Sequence, residues 1–181
     1  MYCEKCGKET LNEKQICDEC DKNNVILSYI SVALAILGII LPFIKWLEVP
    51  VAQGLYSMFG MAQETPTFSL FGYIFAGSQY QSGIVYAITM ILALVALIGI
   101  IFNVIYVVKT FKKKEKIYKY GSFGSGILTI VSAVFIVIVG LSAMILKVIK
   151  LTATPYITLA VSIANLIVIK KMKRGNTKWK E

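Results

Sequence analysis

The sequence predicts an all-α membrane protein, a bundle of four transmembrane helices with a small cysteine-bearing unit ahead of it and one large loop on its far side. Three observations carry that prediction. Hydrophobic residues make up 57% of the 181 and charged residues only 16%, against about 25% charged in an ordinary soluble domain. The apolar residues lie in long blocks, which is the pattern of membrane spans and not of a large soluble core. The charges fall between the blocks. Lys109–Lys119, read as KTFKKKEKIYK, sets six lysines against one glutamate between two apolar runs. Such a segment stays out of hydrocarbon, and lysine-rich short loops are retained on the cytoplasmic side.

The net charge of +9 follows the same logic. Residues 1–24 hold four lysines against six acids, and residues 170–181 hold six basic residues against one acid. Positive charge therefore flanks the spans, as topology requires, instead of forming a nucleic-acid-binding face. Residues 1–24 are polar and do not read as a cleaved signal peptide. Histidine is absent, which removes histidine-based acid–base chemistry, His-containing triads and His metal ligands together.

The first element is Cys3-Glu-Lys-Cys6, ten residues, then Cys17-Asp-Glu-Cys20. Each Cys-x-x-Cys pair lets two thiolates converge from one tight turn. Two such turns complete a tetrahedral sulfur shell for zinc. Gly7 follows the first pair, where a positive φ costs nothing, and Lys8–Leu11 with Gln15–Ile16 suits a small hairpin between the pairs. A unit of about twenty residues has almost no core, so the metal must supply most of its stability. With Cys3, Cys6, Cys17 and Cys20 all ligating, no coordination position stays open, and the zinc is structural. The competing reading is a redox dithiol, which needs only one Cys-x-x-Cys and commonly sits on a helix N-terminus of a larger fold. The stretch MYCEKCGKET…QICDEC resembles the short zinc ribbon at the N-terminus of many small bacterial multi-pass membrane proteins. That resemblance covers about the first twenty residues and implies a zinc-bound, cytoplasmic ribbon.

Asp21–Asn24 reads as a polar linker with Asn24 as helix N-cap. The first span is expected over residues 25–47, with Pro42 kinking or ending it and Lys45 and Trp46 marking the membrane interface. Residues 48–83 contain two acids, no basic residue, and glycines and prolines that break any spanning helix. The segment is nonetheless rich in aromatics. It reads as a compact extracytoplasmic cap with short β-strands or an interfacial helix, or as a surface for a partner. One large loop followed by two short ones is similar to the claudin-like four-helix plan. Trp46 with Gly54-Leu55-Tyr56 resembles the W…GLW signature of that family. The cysteine pair of the family is absent here, so the likeness implies no junction-forming role.

The second span is expected over 84–108, with Asn103 its strongest polar residue, and the basic cytoplasmic loop over 109–121. The third covers 125–146 after a flexible glycine-rich approach, Gly121–Gly126. Lys147 and Lys150 then place two positive charges on the outer side, against the rule but outweighed by the inner segments. Thr154 and Pro155 read as N-cap and first position of the last span, which covers about 152–170 and is short for a crossing. The domains are thus a ribbon at 1–24 and a four-helix domain at 25–181, in the cell membrane, with both termini cytoplasmic.

No Asp, Glu, Lys or Arg lies within the apolar core of any span, whereas ion-coupled transporters and proton relays need such groups at depth. Asn103 and Asn165 are expected to hydrogen-bond across helices as packing contacts of about 1 kcal/mol. Ser31/Ala35 and Ala160/Ala164 have small-xxx-small spacing. No catalytic constellation is present. The expected partners are the lipid bilayer, a protein docking at the ribbon or at 48–83, and anionic lipid head groups at Lys109–Lys119. A homo-oligomer is compatible with the sequence. Nucleic acid is not expected, because the ribbon is acidic. The functional expectation is a non-enzymatic adaptor, regulatory or sensing protein; the alternative is a component or accessory subunit of a channel or transporter.

Overall fold

The computed structural model describes residues 18–48, 67–72, 83–112, 118–146 and 150–177. Four helices carry the chain: α1 (Asp18–Ile40), α2 (Gly83–Phe111), α3 (Tyr118–Leu146) and α4 (Thr154–Thr177). Three short strands, β1 (Lys45–Glu48), β2 (Thr67–Ser69) and β3 (Lys150–Leu151), form one antiparallel sheet in the order β2-β1-β3. Four stretches are long and apolar enough to cross a membrane: Val25–Phe43, Ala87–Phe111, Tyr118–Leu141 and Thr154–Met172. α1 packs on α2 and α4, and α3 packs on the same two helices, so the four close a ring.

The side chains are sorted as lipid contact demands. Ile91, Ile130 and Ile167 are each at least 60% exposed, an arrangement that would be costly in water and is ordinary in a bilayer. The interior takes small residues instead: Ser31, Ala35, Ala93, Ala96, Ser132 and Ser162 are buried. Apolar contacts between spans gain nothing over contacts with lipid, so close backbone approach and interhelical hydrogen bonds hold such bundles together.

One end of the bundle carries the sheet. Pro42 has no N–H to donate into the helix, and α1 gives way at Ile40 to a 3₁₀ turn over Leu41–Phe43. The Leu41 carbonyl accepts hydrogen bonds from Ile44 N (3.1 Å) and from Trp46 Nε1 (2.9 Å), so a carbonyl at the helix end is satisfied. The expected first span of 25–47 is therefore too long, since Lys45–Glu48 is strand. Trp46 is also not the interfacial anchor the sequence predicts. A bulge shifts the β1–β2 register between Lys45 and Leu47, the strict alternation of faces breaks, and Trp46 and Leu47 both turn inward, each 1% exposed. The Trp46 ring meets Phe135 of α3 edge-on, centroids 5.0 Å apart.

β3 joins the sheet through Thr152, whose N–H donates to Trp46 O (3.1 Å) and whose hydroxyl donates to Lys45 O (2.6 Å). The β1–β3 register sets Lys150 opposite Glu48, and cross-strand pairs of opposite charge are favourable. Lys150 thus takes part in the sheet at this end of the bundle. Within the expected loop at 48–83, β2 and the following turn pack on the core, with Leu70 fully buried. The short strands expected in this segment are thus present among its described residues. The rest of that loop lies outside the described residues.

Three further boundaries differ from expectation. The segment Asp21–Asn24 is helical, so α1 starts at Asp18 and not after Asn24. α3 starts at Tyr118 and runs through the glycines expected to be flexible, which shortens the 109–121 link between α2 and α3 to residues 112–117. Packing explains the second of these. Gly121 lies against the Tyr106 ring and Ile169, and Gly124 against the α2 backbone, contacts that offset the roughly 1 kcal/mol each glycine costs in a helix. α4 starts at Thr154, with Ala153 O accepting the first helical bond from Ile157 N. Thr152 rather than Thr154 supplies the hydroxyl there, accepting from Thr154 N at 3.4 Å. The helix continues to Thr177. Its candidate span is Thr154–Met172, 19 residues, about 28 Å at 1.5 Å per residue, so it stays on the short side for a crossing, and the basic last turns carry the helix beyond it.

Candidate functional site

At the end of the bundle opposite the sheet, the buried polar side chains join in one circuit. On α2, Asn103 and Tyr106 stand one turn apart. The Tyr106 hydroxyl donates to Ser31 Oγ of α1 at 2.8 Å. Ser31 Oγ donates to Asn165 Oδ1 of α4 at 2.6 Å. Asn165 Nδ2 donates to Ser125 Oγ of α3 at 2.8 Å, and Ser125 Oγ donates to Asn103 Oδ1 at 3.4 Å. The circuit leaves α2, passes through α1, α4 and α3, and returns to α2. Each hydroxyl in its middle accepts once and donates once, an arrangement in which neighbouring bonds polarise one another. All five residues are at most 2% exposed.

The circuit lies three to six residues from Lys109, Lys119 and Lys170 along their helices, about 5–9 Å at 1.5 Å per residue. Around it the rim is aromatic and basic. Lys109 Nζ sits 3.9 Å from the Tyr120 ring centroid, Tyr120 stacks on Phe102, and Phe102 meets Phe123 edge-on at 4.8 Å. This ladder stitches α2 to α3 beside their link.

Gly124 makes the circuit sterically feasible. A Cβ on Gly124 would stand 2.7 Å from Asn103 Oδ1, 2.8 Å from Gly99 O and 2.9 Å from Asn103 N. Two of those three atoms are backbone and cannot step aside. Gly124→Ala is therefore expected to destabilise the bundle by about 1–3 kcal/mol. Gly126→Ala, with no atom within 4 Å of the added carbon, is expected to stay within about 1 kcal/mol of the parent or to gain slightly from helix propensity. Unfolding titrations in micelles compare the two; equal effects would mean that α2 and α3 do not approach at Gly99 and Gly124.

Asn103 and Asn165, singled out in the sequence, are thus brought together through Ser125. Of the two small-residue pairs, Ser31/Ala35 is buried, while Ala160 is exposed and Ala164 half-buried. Tyr106, Ser125 and the Gly99–Gly124 contact were not anticipated. A usable signal was present: Asn103/Tyr106, Ser125/Ser132 and Thr158/Ser162/Asn165 repeat at three, four or seven residues, which marks one inward face per helix. Among the described residues, three buried polar side-chain atoms have no hydrogen-bond partner: Asn103 Nδ2 and the hydroxyls of Ser132 and Ser162.

Chemically the circuit is neutral amides and hydroxyls, suited to holding helices in register and not to proton abstraction or nucleophilic attack. Among the described residues no group of three or more Cys, Asp or Glu could hold a metal. Cys3, Cys6 and Cys17 lie outside the described residues. Cys20 falls in the first turn of α1. No known protein family, curated protein or solved structure matches the chain.

Proposed function

We propose that the protein is a non-enzymatic membrane adaptor or sensor whose N-terminal zinc ribbon docks a partner at the cytoplasmic face. The observation that carries this reading is the continuity of α1. One unbroken helix bears Cys20 in its first turn, Ser31 of the polar circuit in its middle, and the 3₁₀ turn into β1 at its end. α1 is therefore one rod of about 34 Å, with no break between Cys20 and the first span. A displacement of the cap or of the bundle would be felt at the second cysteine pair. Four thiols in two Cys-x-x-Cys pairs fit a closed zinc shell, whose role is to order the ribbon. In this reading the ribbon, the α2–α3 link and the basic tail face the cytoplasm, as their lysines favour.

The experiment is crosslinking in native membranes with the intact chain and with Cys3→Ser/Cys17→Ser. A discrete protein crosslinked to the intact chain and lost with the variant is the expected result. An unchanged crosslinking pattern would remove the ribbon as docking element. A second reading, an accessory subunit of a channel or transporter, is favoured by the three unpartnered polar atoms, because such atoms inside a bundle are places for water. Ion or solute flux through liposomes containing the purified chain separates it from the first.

A further inference from the structure

Beside the polar circuit, residues of α3 and α4 line a groove of about 800 Å³. Its lining is apolar at Phe123, Ile127, Ile130 and Leu166, with Lys119 and Lys170 at one end. Both lysines are exposed. Gly126 also lines it, and a Cβ there would meet nothing within 4 Å, so the glycine helps keep the groove open. From Lys119 to Ile130 the groove follows eleven residues of α3, about 16 Å. That is close to half of a hydrocarbon core of about 30 Å. The groove is thus as deep as one leaflet, apolar along its length, and positively charged only where head groups lie.

We propose that this groove is a binding site for one anionic phospholipid of the leaflet at the lysine end. An acyl chain lies over Gly126 between Phe123 and Leu166, and the phosphate sits between the Lys119 and Lys170 ammonium groups. Tyr118 and Ser122, which also line the groove, offer hydroxyls to the head group. Charge complementarity selects this occupant: residues 109–119 and 170–181 together hold twelve basic residues against two acids. A polypeptide helix would instead bring its own polar backbone and leave the two lysines unmatched. The site does not depend on the cysteine pairs, so the zinc reading and the lipid site stand or fall separately.

Native mass spectrometry of the full chain from detergent, supplied with equal phosphatidylglycerol and phosphatidylcholine, provides the test. Two lysines near a charged surface, each contributing about fivefold, predict a preference for phosphatidylglycerol of about 30-fold. Lys119→Gln/Lys170→Gln is expected to abolish the preference while some lipid of both kinds is kept. Gly126→Phe fills the groove and is expected to lose one bound lipid of either kind, with the thermal midpoint unchanged. Equal retention of the two lipids by the parent chain would overturn the proposal, and so would a preference that survives the double substitution. A dimer that Gly126→Phe converts to monomer would also overturn it, by assigning the groove to a second copy.

Discussion

The purified protein is expected to carry one zinc ion per chain, and Cys3→Ser/Cys17→Ser is expected to lose it together with the order of residues 1–17. The physical reason is size. So short a segment buries too little apolar surface to offset its chain entropy. Structural zinc in comparable peptides contributes an apparent 10–16 kcal/mol or about that range at neutral pH, which makes this the largest single effect expected in the molecule. The loss should stop near Asp18. From there on, α1 is held by its contacts with α2 and α4, so the unfolding midpoint of the bundle should move little. Elemental analysis gives the stoichiometry, and limited proteolysis gives the order. A protease-resistant N-terminal segment without metal would end the zinc reading. Four thiols found as two disulfides would point to the redox alternative. Because zinc binds thiolate, and a free cysteine has a pKa of about 8.5, acidification protonates the ligands and should release the metal.

Trp46→Ala is expected to cost about 3–5 kcal/mol, the range for truncating a large buried aromatic. Three losses converge at this residue. The ring leaves a cavity against Phe135, in the core cluster that Trp46 shares with Leu47 and Leu70. The Leu41 carbonyl loses one of its two donors at the point where Pro42 has already interrupted the helix. The bulge that aims β1 inward loses the side chain that fills it. Trp46→Phe keeps most of the volume and should cost nearer to 1 kcal/mol, about the worth of one hydrogen bond. Hydrogen exchange at residues 45–48 and 150–152 should rise with the alanine variant and rise less with the phenylalanine variant. A tryptophan anchoring in the membrane interface would instead give a change below about 1 kcal/mol, with strand protection intact.

Both outcomes bear on how the two ends of α1 communicate. At the sheet end, Trp46 and Thr152 pin β1 to the start of α4. At the lysine end, Ser31 ties α1 into the circuit of Tyr106, Asn165, Ser125 and Asn103. A helix fixed at two heights moves as a body, as the proposed adaptor role requires.

Hydropathy and charge by themselves determined that there are four apolar spans, near which residues they lie, and that the lysines collect at Lys109–Lys119 and in the last residues. Those properties follow from transfer free energies, which depend on composition along the chain and hardly on neighbours in space. The breaking power of Pro42 and the use of Asn103 and Asn165 as interhelical contacts were legible for the same reason, since a missing N–H and a polar amide in hydrocarbon are local facts. Tertiary structure alone decided the rest. Gly121 and Gly124 read locally as a flexible approach, yet close contact with Tyr106 and with the α2 backbone makes them helix. Trp46 reads as an interfacial anchor, yet a bulge and the proximity of Phe135 make it core. Asn24 reads as a cap, yet α1 begins six residues earlier. In each case the deciding atoms come from a segment distant in sequence or from the geometry of a whole helix, and local propensities of about 1 kcal/mol yield to contacts worth more.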